Sequence, residues 1–141
     1  MDSCLFLTNT DTTIGLLSKD KERLDRAKKR LPNKSYIQAL PSLASIKKRV
    51  PKKFRREVRV AKKSTFILSK EYSFRVIKDK RHNLLINRLS WAYTTSANQS
   101  GKDFDYTFAY SRADIIIYPL SKPKTPSSIY KLGKIKQKRL R

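Results

Sequence analysis

The stretch Thr94-Thr95-Ser96-Ala97-Asn98-Gln99-Ser100-Gly101 is the most unusual part of this chain of 141 residues. It directly follows an aromatic-rich segment, is made of small and polar residues, and contains one of only three glycines. The β-branched and aromatic run Tyr93–Ser96 predicts a short strand, so the polar loop begins at a strand end. Hydroxyls, amides and bare backbone N–H groups suit close approach to a phosphate or a nucleoside. A serine-rich surface loop has the same composition, so both interpretations remain open here.

Strand-like and helix-like segments alternate on both sides of this loop. Apolar, β-branched and aromatic runs predict strands at Cys4–Thr8, Ile14–Leu17, Tyr36–Leu40, Thr65–Leu68, Tyr72–Ile77, Ala113–Leu120 and, more weakly, Ile129–Ile135. Helices are predicted from an Asp20 cap through Arg30, from a Ser42 cap through Arg49, and from near Arg81 across Leu84, Leu85 and Leu89. The three residues between the fourth and fifth of these strands predict an antiparallel hairpin.

This alternation predicts the α/β class, with a twisted mixed parallel and antiparallel sheet and helices packed on it. The length fits one domain over residues 1–141, and we expect residues 131–141 to form a basic C-terminal tail. The chain contains 34 Lys and Arg against 11 Asp and Glu, a net charge of +23. Such an excess attracts polyanions, so phosphate-bearing partners are expected.

The basic residues are clustered, and the clusters differ in how many acids accompany them. Residues 19–34 carry eight Lys and Arg with three acids, residues 47–63 carry ten with only Glu57, and residues 122–141 carry eight with no acid. The last two segments therefore have the strongest positive character. Charge runs are usually solvated faces, and the clusters alone do not identify a ligand.

Cysteine, histidine and hydropathy exclude several classes of protein. Cys4 is the only cysteine, which rules out an intrachain disulfide and a four-thiolate metal site. His82 is the only histidine, and in its basic context we expect a surface side chain rather than a metal ligand. No run approaches the roughly 20 apolar residues that span a bilayer. We expect a soluble, cytoplasmic protein with no metal site of its own and no membrane partner.

Two other polar clusters are candidates for ligand binding. Thr10-Asp11-Thr12-Thr13 follows a buried strand, at a sheet end where α/β folds tend to bind ligands, although spacing alone favours a self-satisfied turn. Lys28-Lys29-Arg30, with Lys34 beyond, could clamp a phosphate or simply complement a helix C-terminus. No nucleophile with an adjacent base stands out, and GxSxG, Walker A, GxGxxG and zinc-deaminase signatures are missing from the sequence. An enzyme of this composition would work by positioning and electrostatics.

Three of these pieces occur in the order and approximate spacing of motifs in the YrdC-like family. Residues 10–16 resemble the PTDTxYGLG opening, residues 28–34 resemble KxRPxxKP, and residues 95–101 are similar to STSANxSG, the most specific of the set. Weaker similarities are Thr65-Phe66-Ile67-Leu68 to the strand after a PGPxT turn, Phe74-Arg75-Val76 to a VRxP strand, Pro126-Ser127-Ser128-Ile129 to PSTIVDL, and Arg141 to a final LR. The resemblance runs from about residue 5 to the end.

The resemblance implies a threonylcarbamoyl-AMP synthase, a nucleotidyltransferase that joins ATP, L-threonine and bicarbonate for threonylcarbamoyladenosine modification of tRNA. It implies ATP binding by Lys28, Arg30, Lys34, Ser96, Asn98 and Arg141 or Arg139, and threonine binding by Thr10, Arg75, Thr94 and Ser127. Arg75 would be the natural partner of the threonine carboxylate. Mg²⁺ would accompany the ATP, and no side chain would act as a nucleophile. Protein partners in tRNA modification are also implied.

The sequence also departs from the family pattern. Asn9 stands where the opening Pro is usual, Leu31 replaces the Pro after Arg30, and the PGP before Thr65 is missing. These departures leave open a non-catalytic paralogue that binds double-stranded RNA or tRNA, for which +23 offers more charge than one triphosphate needs. The two roles can coexist. A ribosome-associated basic protein with chance matches is disfavoured by three ordered motifs.

Overall fold

Residues 3–32, 34–120, 125–133 and 136–141 are described by the computed structural model of the chain. In these ranges the strands are β1 (Phe6–Asn9), β2 (Ile14–Ser18), β3 (Ile37–Leu40), β4 (Ser64–Ser69), β5 (Tyr72–Val76), β6 (Ala92–Ser96), β7 (Ile115–Ile116), β8 (Ser128–Leu132) and β9 (Gln137–Arg139). The helices are α1 (Lys21–Lys28), α2 (Arg55–Val60), α3 (Lys80–Leu89) and α4 (Tyr106–Arg112). Short 3₁₀ turns lie at Leu43–Ser45 and Lys52–Phe54.

All of these strands belong to one sheet, in the order β7-β1-β2-β6-β3-β5-β4-β8-β9. The pairs β1–β7, β3–β5 and β4–β8 are parallel, and the other neighbours are antiparallel. The predicted fold class, a mixed sheet with helices packed on it, is confirmed. Within the described ranges, no helix has the length and apolar character of a membrane span.

Three groups of buried side chains hold the helices on the sheet. One joins α1 and α4 to β1 and β2 through Leu24 and Ala109, and another packs Ile86 and Leu89 of α3 on Leu17. The third group contains the buried side chains of Leu40, Leu43, Val50, Phe54, Val58, Phe66, Phe74, Val76 and Leu132. Each buried Leu or Phe stabilises the fold by roughly 1.5–3 kcal/mol relative to exposure. The segment between β3 and β4 is therefore anchored on the sheet.

Several elements form where local signals predict them. The Asp20 carboxylate caps α1 by accepting a hydrogen bond from the backbone N–H of Arg23 at 3.2 Å. The helix ends at Lys28, two residues before the predicted end at Arg30, and the residue that follows it, Lys29, is left-handed with φ 52°. The predicted hairpin is confirmed, because β4 and β5 are antiparallel neighbours with Phe66 opposite Phe74. Local capping and alternation were sufficient for these elements.

The helix predicted from Ser42 through Arg49 is wrong. Only the single 3₁₀ turn Leu43–Ser45 forms, and the Ser42 side chain makes no capping hydrogen bond. Three adjacent cations repel one another in residues 47–49, and Pro51 disfavours the helical conformation of Val50. Helix α2 forms instead on the far side of Pro51, where Val58 is fully buried.

The strand predicted at Ala113–Leu120 is reduced to the two residues of β7. Asp105 caps α4 by accepting a hydrogen bond from the Thr107 N–H at 3.0 Å. This helix continues to Arg112, directly before the predicted strand. Pro119 has no N–H to donate to a neighbouring strand, which limits β7 at its C-terminal end. The weak strand predicted at Ile129–Ile135 is observed at Ser128–Leu132, and residues 134–135 lie outside the described residues. In the predicted tail, Gln137–Arg139 form the edge strand β9.

Candidate functional site

A cavity of about 270 Å³ lies where the β1–β2 turn, the end of β6 and the starts of β3 and β8 meet. Its described lining contains three arginines, eight serines and threonines, and no acidic residue. The lining residues are Thr10, Thr12, Thr13, Arg30, Ser35, Tyr36, Ile37, Arg75, Thr94, Thr95, Ser96, Pro126, Ser127, Ile129 and Arg141. Cations and hydroxyls without a competing carboxylate make this cavity suited to an anionic ligand.

The cavity brings together seven of the eleven side chains that the resemblance assigns to ATP or threonine. These are Thr10, Arg30, Arg75, Thr94, Ser96, Ser127 and Arg141. Lys28, Lys34, Asn98 and Arg139 are not among its lining residues, and Lys34 and Arg139 are exposed. Thr12, Thr13 and Thr95 also line it, and each belongs to a polar stretch that the sequence marked as a candidate for ligand binding, although no individual role was assigned to them. Ser35 and Tyr36 had no such signal and join the cavity through the fold.

The β1–β2 turn forms one wall, and its hydroxyls are used inside the turn. The Thr10 Oγ1 donates to the Thr13 carbonyl at 2.6 Å and accepts from the Thr12 N–H at 3.2 Å. This is the self-satisfied turn that spacing alone favours, although Thr10 also lines the cavity. Gly15 packs closely behind, since a Cβ there would lie 2.7 Å from Thr10 Cγ2 and 3.2 Å from the Thr95 carbonyl. The turn and β6 are therefore held in close register.

Arg75 on β5 is buried beside the cavity and held by three hydrogen bonds. Its Nη1 donates to Asp11 Oδ1 at 2.7 Å and to Thr12 Oγ1 at 3.0 Å, and its Nε donates to Thr65 Oγ1 at 3.4 Å. The Asp11 and Arg75 side chains are only 5% and 7% exposed. Asp11 Oδ2 has no hydrogen-bond partner among the described residues. This buried ion pair orients the guanidinium and leaves Nη2 uncommitted among the described hydrogen bonds.

Arg30 lies at the opposite wall, one residue beyond the left-handed end of α1. Its guanidinium carbon lies 4.6 Å from the centre of the Tyr36 ring, and its Nη2 donates to the Ser35 carbonyl at 3.4 Å. The Tyr36 hydroxyl donates to Asp25 Oδ1 at 2.6 Å. Burial, followed by this hydrogen bond, raises the pKa of Tyr36 above its ordinary value. The neutral Tyr36 ring therefore packs against the Arg30 guanidinium and restricts its orientation.

Arg141 forms a third side of the cavity and hydrogen-bonds to Ser127, the residue directly before β8. Its Nε donates to the Ser127 carbonyl at 2.9 Å, and its Nη2 reaches Ser127 Oγ at 3.4 Å. Ser127 Oγ in turn shares a hydrogen bond with Thr65 Oγ1 at 2.9 Å. Since Thr65 also accepts from Arg75, hydrogen bonds connect two of the three arginines. The cationic groups are thus placed by the protein before any ligand binds.

Lys28 and Asn98 act behind the cavity wall, on the loop that follows β6. The buried Lys28 Nζ donates to the Ser96 carbonyl at 2.7 Å and to Asn98 Oδ1 at 3.5 Å. Asn98 Nδ2 donates to the Lys102 carbonyl at 2.7 Å, which fastens the loop to itself. Burial, with a smaller effect of the Arg30 charge, lowers the pKa of Lys28 to about 8. These two residues position Ser96, which does line the cavity.

His82 is not the surface residue that its basic context suggested. It is only 4% exposed, and neither ring nitrogen hydrogen-bonds to a described residue. Burial is the main cause that lowers its pKa to about 4, so the imidazole is neutral at pH 7. His82, Ile86 and Leu89 are all buried at helical spacing on α3, a pattern that could have revealed the inner face. Among the described residues, no group of three His, Cys, Asp or Glu side chains could hold a metal.

Comparison with known proteins finds similarity only at the level of structure. No family model matches the chain, and no curated protein matches its sequence. P. abyssi Sua5 complexed with L-threonine aligns with a TM-score of 0.80 and 18% identity, covering 99% of this chain and 50% of Sua5. E. coli YciO aligns with a TM-score of 0.76 and 19% identity, covering 98% of this chain and 82% of YciO.

Full-length HypF, in a phosphate- and nucleotide-bound form, aligns with a TM-score of 0.74 and 17% identity. The match covers 99% of this chain and 27% of HypF. The chain spans about half the length of the Sua5 structures that it matches. These likenesses concern the arrangement of the sheet and helices, and they agree with the resemblance carried by the sequence motifs. This chain has the YrdC-like fold that is found in Sua5 and YciO.

Proposed function

We propose that this chain binds ATP and L-threonine in the arginine-lined cavity and condenses them with bicarbonate into threonylcarbamoyl-AMP and pyrophosphate. The product would serve threonylcarbamoyladenosine formation in tRNA. One observation carries the proposal: residues far apart in the sequence, assigned by motif resemblance to the two substrates, line a single cavity. Random placement of such residues on a fold of this size would scatter them over its surface.

The charge of the cavity supports a phosphate-bearing substrate. Arg30, Arg75 and Arg141 line it without an acidic side chain among the described lining residues. A guanidinium presents planar paired donors that match the oxygens of phosphate and carboxylate groups. Asp11 neutralises part of Arg75 from behind, which leaves Arg30 and Arg141 as the stronger partners for the phosphates. Arg75 is then better suited to the single negative charge of an amino acid carboxylate.

The amino acid end of the site lies around Arg75, Thr94 and Ser127. P. abyssi Sua5, which shares the fold, was solved with L-threonine bound. In this chain Arg75 Nη2 would donate to the threonine carboxylate, while hydroxyls of Thr94 and Ser127 offer partners for its polar groups. A volume of about 270 Å³ is small for a whole ATP molecule. The enclosed space would hold the amino acid and the reacting phosphate, with the nucleoside extending past Ser96.

The proposed reaction requires no nucleophile from the protein. The threonine ammonium and bicarbonate condense to a carbamate, with loss of one water and one proton. A carbamate oxygen then bonds to the α-phosphorus of ATP as the bond from that phosphorus to the β-bridging oxygen breaks, and pyrophosphate leaves. Arg30 and Arg141 would stabilise the charge that spreads over the phosphate oxygens. Positioning by Arg75 keeps the carbamate beside the α-phosphate.

The residues of the cavity do not form a magnesium site of their own. Mg²⁺ in nucleotide sites is usually held by one or two carboxylates together with substrate phosphates and water. The described lining has no carboxylate, and Asp11 is committed to Arg75 through Oδ1. We therefore assign Mg²⁺ to the MgATP substrate and assign no step of the reaction to a protein-bound ion.

Binding measurements on two matched variants test this assignment. Arg30 and Lys34 are both attributed to ATP by the motif resemblance, but only Arg30 lines the cavity. Loss of one charge-assisted hydrogen bond costs about 1.5–3 kcal/mol, roughly 10- to 100-fold in affinity. Isothermal titration with a non-hydrolysable ATP analogue should show that loss for Arg30→Ala and a change below about threefold for Lys34→Ala. Equal effects of the two substitutions would contradict the proposed site.

A second candidate function, binding of double-stranded RNA or tRNA, is favoured by one specific surface. The segment 47–63 is anchored by the buried Val50, Phe54 and Val58, yet nine of its ten basic side chains are exposed. The exposed ones are Lys47, Lys48, Arg49, Lys52, Lys53, Arg56, Arg59, Lys62 and Lys63. A fixed array of cations binds nucleic acid through its phosphates, independently of sequence.

Salt dependence tests the RNA proposal separately from the synthase. The affinity for duplex RNA should fall steeply with salt, and the combined Lys52→Gln, Arg56→Gln and Arg59→Gln changes should flatten the slope of log K against log salt by about 2–3. Arg30→Ala lies outside this surface and should leave the slope within error of the wild type. A flat response in the wild-type protein would contradict binding through phosphates.

A further inference from the structure

Aromatic rings and lysines from four separate segments of the chain meet on one face of the sheet. The rings belong to the start of β5 and to the residues at and just before the start of β6, and the lysines precede α1 or follow the Leu43–Ser45 turn. The roles proposed above for ATP and threonine do not use these residues. We call the set the Trp91 surface, and it consists of Lys19, Lys47, Lys48, Tyr72, Trp91 and Tyr93.

The rings of this surface are held in place by the sheet and by the core beneath them. Trp91 and Tyr93 pack edge to face, with their ring centres 5.0 Å apart, and the centre of Tyr72 lies 6.1 Å from that of Phe74. Gln38 lies opposite both Phe74 and Tyr93 in the strand register, which places these side chains on one face. Trp91 and Tyr72 pack on the core that contains Phe74, yet both are only partly buried. They are therefore fixed rings with an exposed part.

Lysine ammonium groups lie over these exposed parts. Lys47 Nζ and Lys19 Nζ lie 4.9 Å and 5.5 Å from the centre of the Trp91 ring. Lys48 Nζ lies 5.5 Å from the centre of the Tyr72 ring. The three charged members of the Trp91 surface are therefore all cations, and each of them lies beside an aromatic face.

Aromatic faces interleaved with cations fit a ligand in which flat rings alternate with negative charges, as they do in a nucleic acid strand. Stacking of a nucleobase on an aromatic side chain is stronger than the cation–π contact of an exposed lysine. A base can therefore displace a lysine from the face of Trp91, and the displaced ammonium group can pair with a phosphate of the same strand. Both faces of a base pair inside a duplex are covered by its neighbours. Only an unpaired base can offer a face to Trp91.

The Trp91 surface is continuous with the basic segment 47–63, because Lys47 and Lys48 belong to both. That segment carries ten basic residues with only Glu57, and it is the surface proposed above for duplex RNA. We propose that the Trp91 surface stacks an unpaired base of an RNA whose adjoining duplex stem lies on segment 47–63. This inference rests on the proposed RNA binding, and it narrows the partner to an RNA in which a stem adjoins unpaired bases.

The fluorescence of Trp91 provides a direct test, because Trp91 is the only tryptophan of the chain. Two hairpin RNAs serve as probes. They share the stem and the number of phosphates, but one has adenines in its loop and the other has abasic residues. A stacked adenine quenches indole fluorescence, whereas movement of the lysines toward phosphates affects Trp91 equally with both hairpins. We expect saturable quenching that is larger with the adenine loop, and equal changes with the two hairpins at saturation overturn the proposal.

Affinities measured by the fluorescence anisotropy of labelled hairpins give the size of the effect. The wild type should bind the adenine loop about fivefold to a hundredfold more tightly than the abasic loop, the range expected for stacking of one base. Trp91→Leu should lose this preference and keep its affinity for the abasic hairpin within about threefold of wild type, which also shows that the variant folds. Trp91→Phe keeps a stacking ring and should retain a preference of at least about threefold. An undiminished preference in Trp91→Leu, or none in Trp91→Phe, overturns the proposal.

The combined Lys52→Gln, Arg56→Gln and Arg59→Gln variant separates this inference from RNA binding itself. The three residues are not members of the Trp91 surface, so the variant should bind both hairpins more weakly by the same factor and keep the preference for the adenine loop. A wild-type protein that binds neither hairpin contradicts the proposed RNA binding and this inference with it. Equal affinity of the wild type for both hairpins leaves RNA binding intact and overturns the base-stacking site alone.

Discussion

The Asp11–Arg75 ion pair gives the sharpest stability prediction, with the substitution Arg75→Met. The side chains are 5% and 7% exposed, and Nη1 and Oδ1 are 2.7 Å apart. Methionine has a similar length but leaves the Asp11 carboxylate buried without its cation. Asp11 Oδ2 already has no hydrogen-bond partner among the described residues, so little else can compensate. Removing one partner of a buried pair costs about 3–5 kcal/mol.

That magnitude is large, because the total stability of a native protein is about 5–15 kcal/mol. For a chain of 141 residues it corresponds to a fall in Tm of about 10–15 °C. The double variant Asp11→Asn with Arg75→Met removes both charges together. It loses chiefly the bonds to Thr12 and Thr65, and should cost only about 1–2 kcal/mol.

Urea denaturation of the wild type, both single variants and the double variant gives the coupling energy of the pair. We expect a coupling of at least about 2 kcal/mol, with the double variant more stable than Arg75→Met. The double variant should fold yet bind threonine at least tenfold more weakly, which separates the role of Arg75 in the site from its role in stability. A cost below about 1 kcal/mol for Arg75→Met, or a double variant as unstable as that single variant, would refute this reasoning.

Three further predictions follow from the same structure. Gly15→Ala should lower the free energy of unfolding in urea by about 1–3 kcal/mol, because the added Cβ would lie 2.7 Å from Thr10 Cγ2. At Gly101 an added Cβ would have no atom within 4 Å, so Gly101→Ala should cost only the roughly 1 kcal/mol that a positive φ imposes on alanine. Burial lowers the pKa of Lys28 from 10.5 to about 8, so the folded state releases this proton at a lower pH than the unfolded state does. The free energy of unfolding of the wild type should therefore rise relative to that of Lys28→Met as the pH increases from about 8 to 10.5. A constant difference between the two proteins over this range would count against a buried Lys28. Burial likewise lowers the pKa of His82 from 6.5 to about 4, so the wild type should lose stability relative to His82→Gln as pH falls from 6.5 to 4, and parallel pH profiles of Tm would disprove it.

Local signals in the sequence predicted much of the fold. The Asp20 cap, the β4–β5 hairpin and the strands on either side of Thr10–Thr13 depend on residues close together in the chain. Helix α4 could not be predicted in this way, since its segment is rich in aromatic residues of low helix propensity. Its formation depends on packing of Ala109 against β1 and β2.

The candidate site was predictable only in part, for a similar reason. Motif resemblance pointed to Arg30, Arg75 and Ser127, and the fold brings them to one cavity. The pairing of Arg75 with Asp11 joins residues 64 positions apart, and no local pattern encodes it. Burial of Lys28 behind Ser96 likewise depends on contact between α1 and the loop after β6. Long-range contacts therefore decide which predicted residues face a ligand and which support them.

Threonine-dependent release of pyrophosphate is the most direct measurement of the proposed reaction. The purified chain is incubated with ATP, Mg²⁺ and bicarbonate, with and without L-threonine, and pyrophosphate is quantified over time. We predict release that requires threonine in the wild type and falls to the threonine-free level in Arg30→Ala, a cavity residue outside the buried ion pair. Release by the wild type that does not exceed that of Arg30→Ala would contradict the proposal that this chain is a threonylcarbamoyl-AMP synthase.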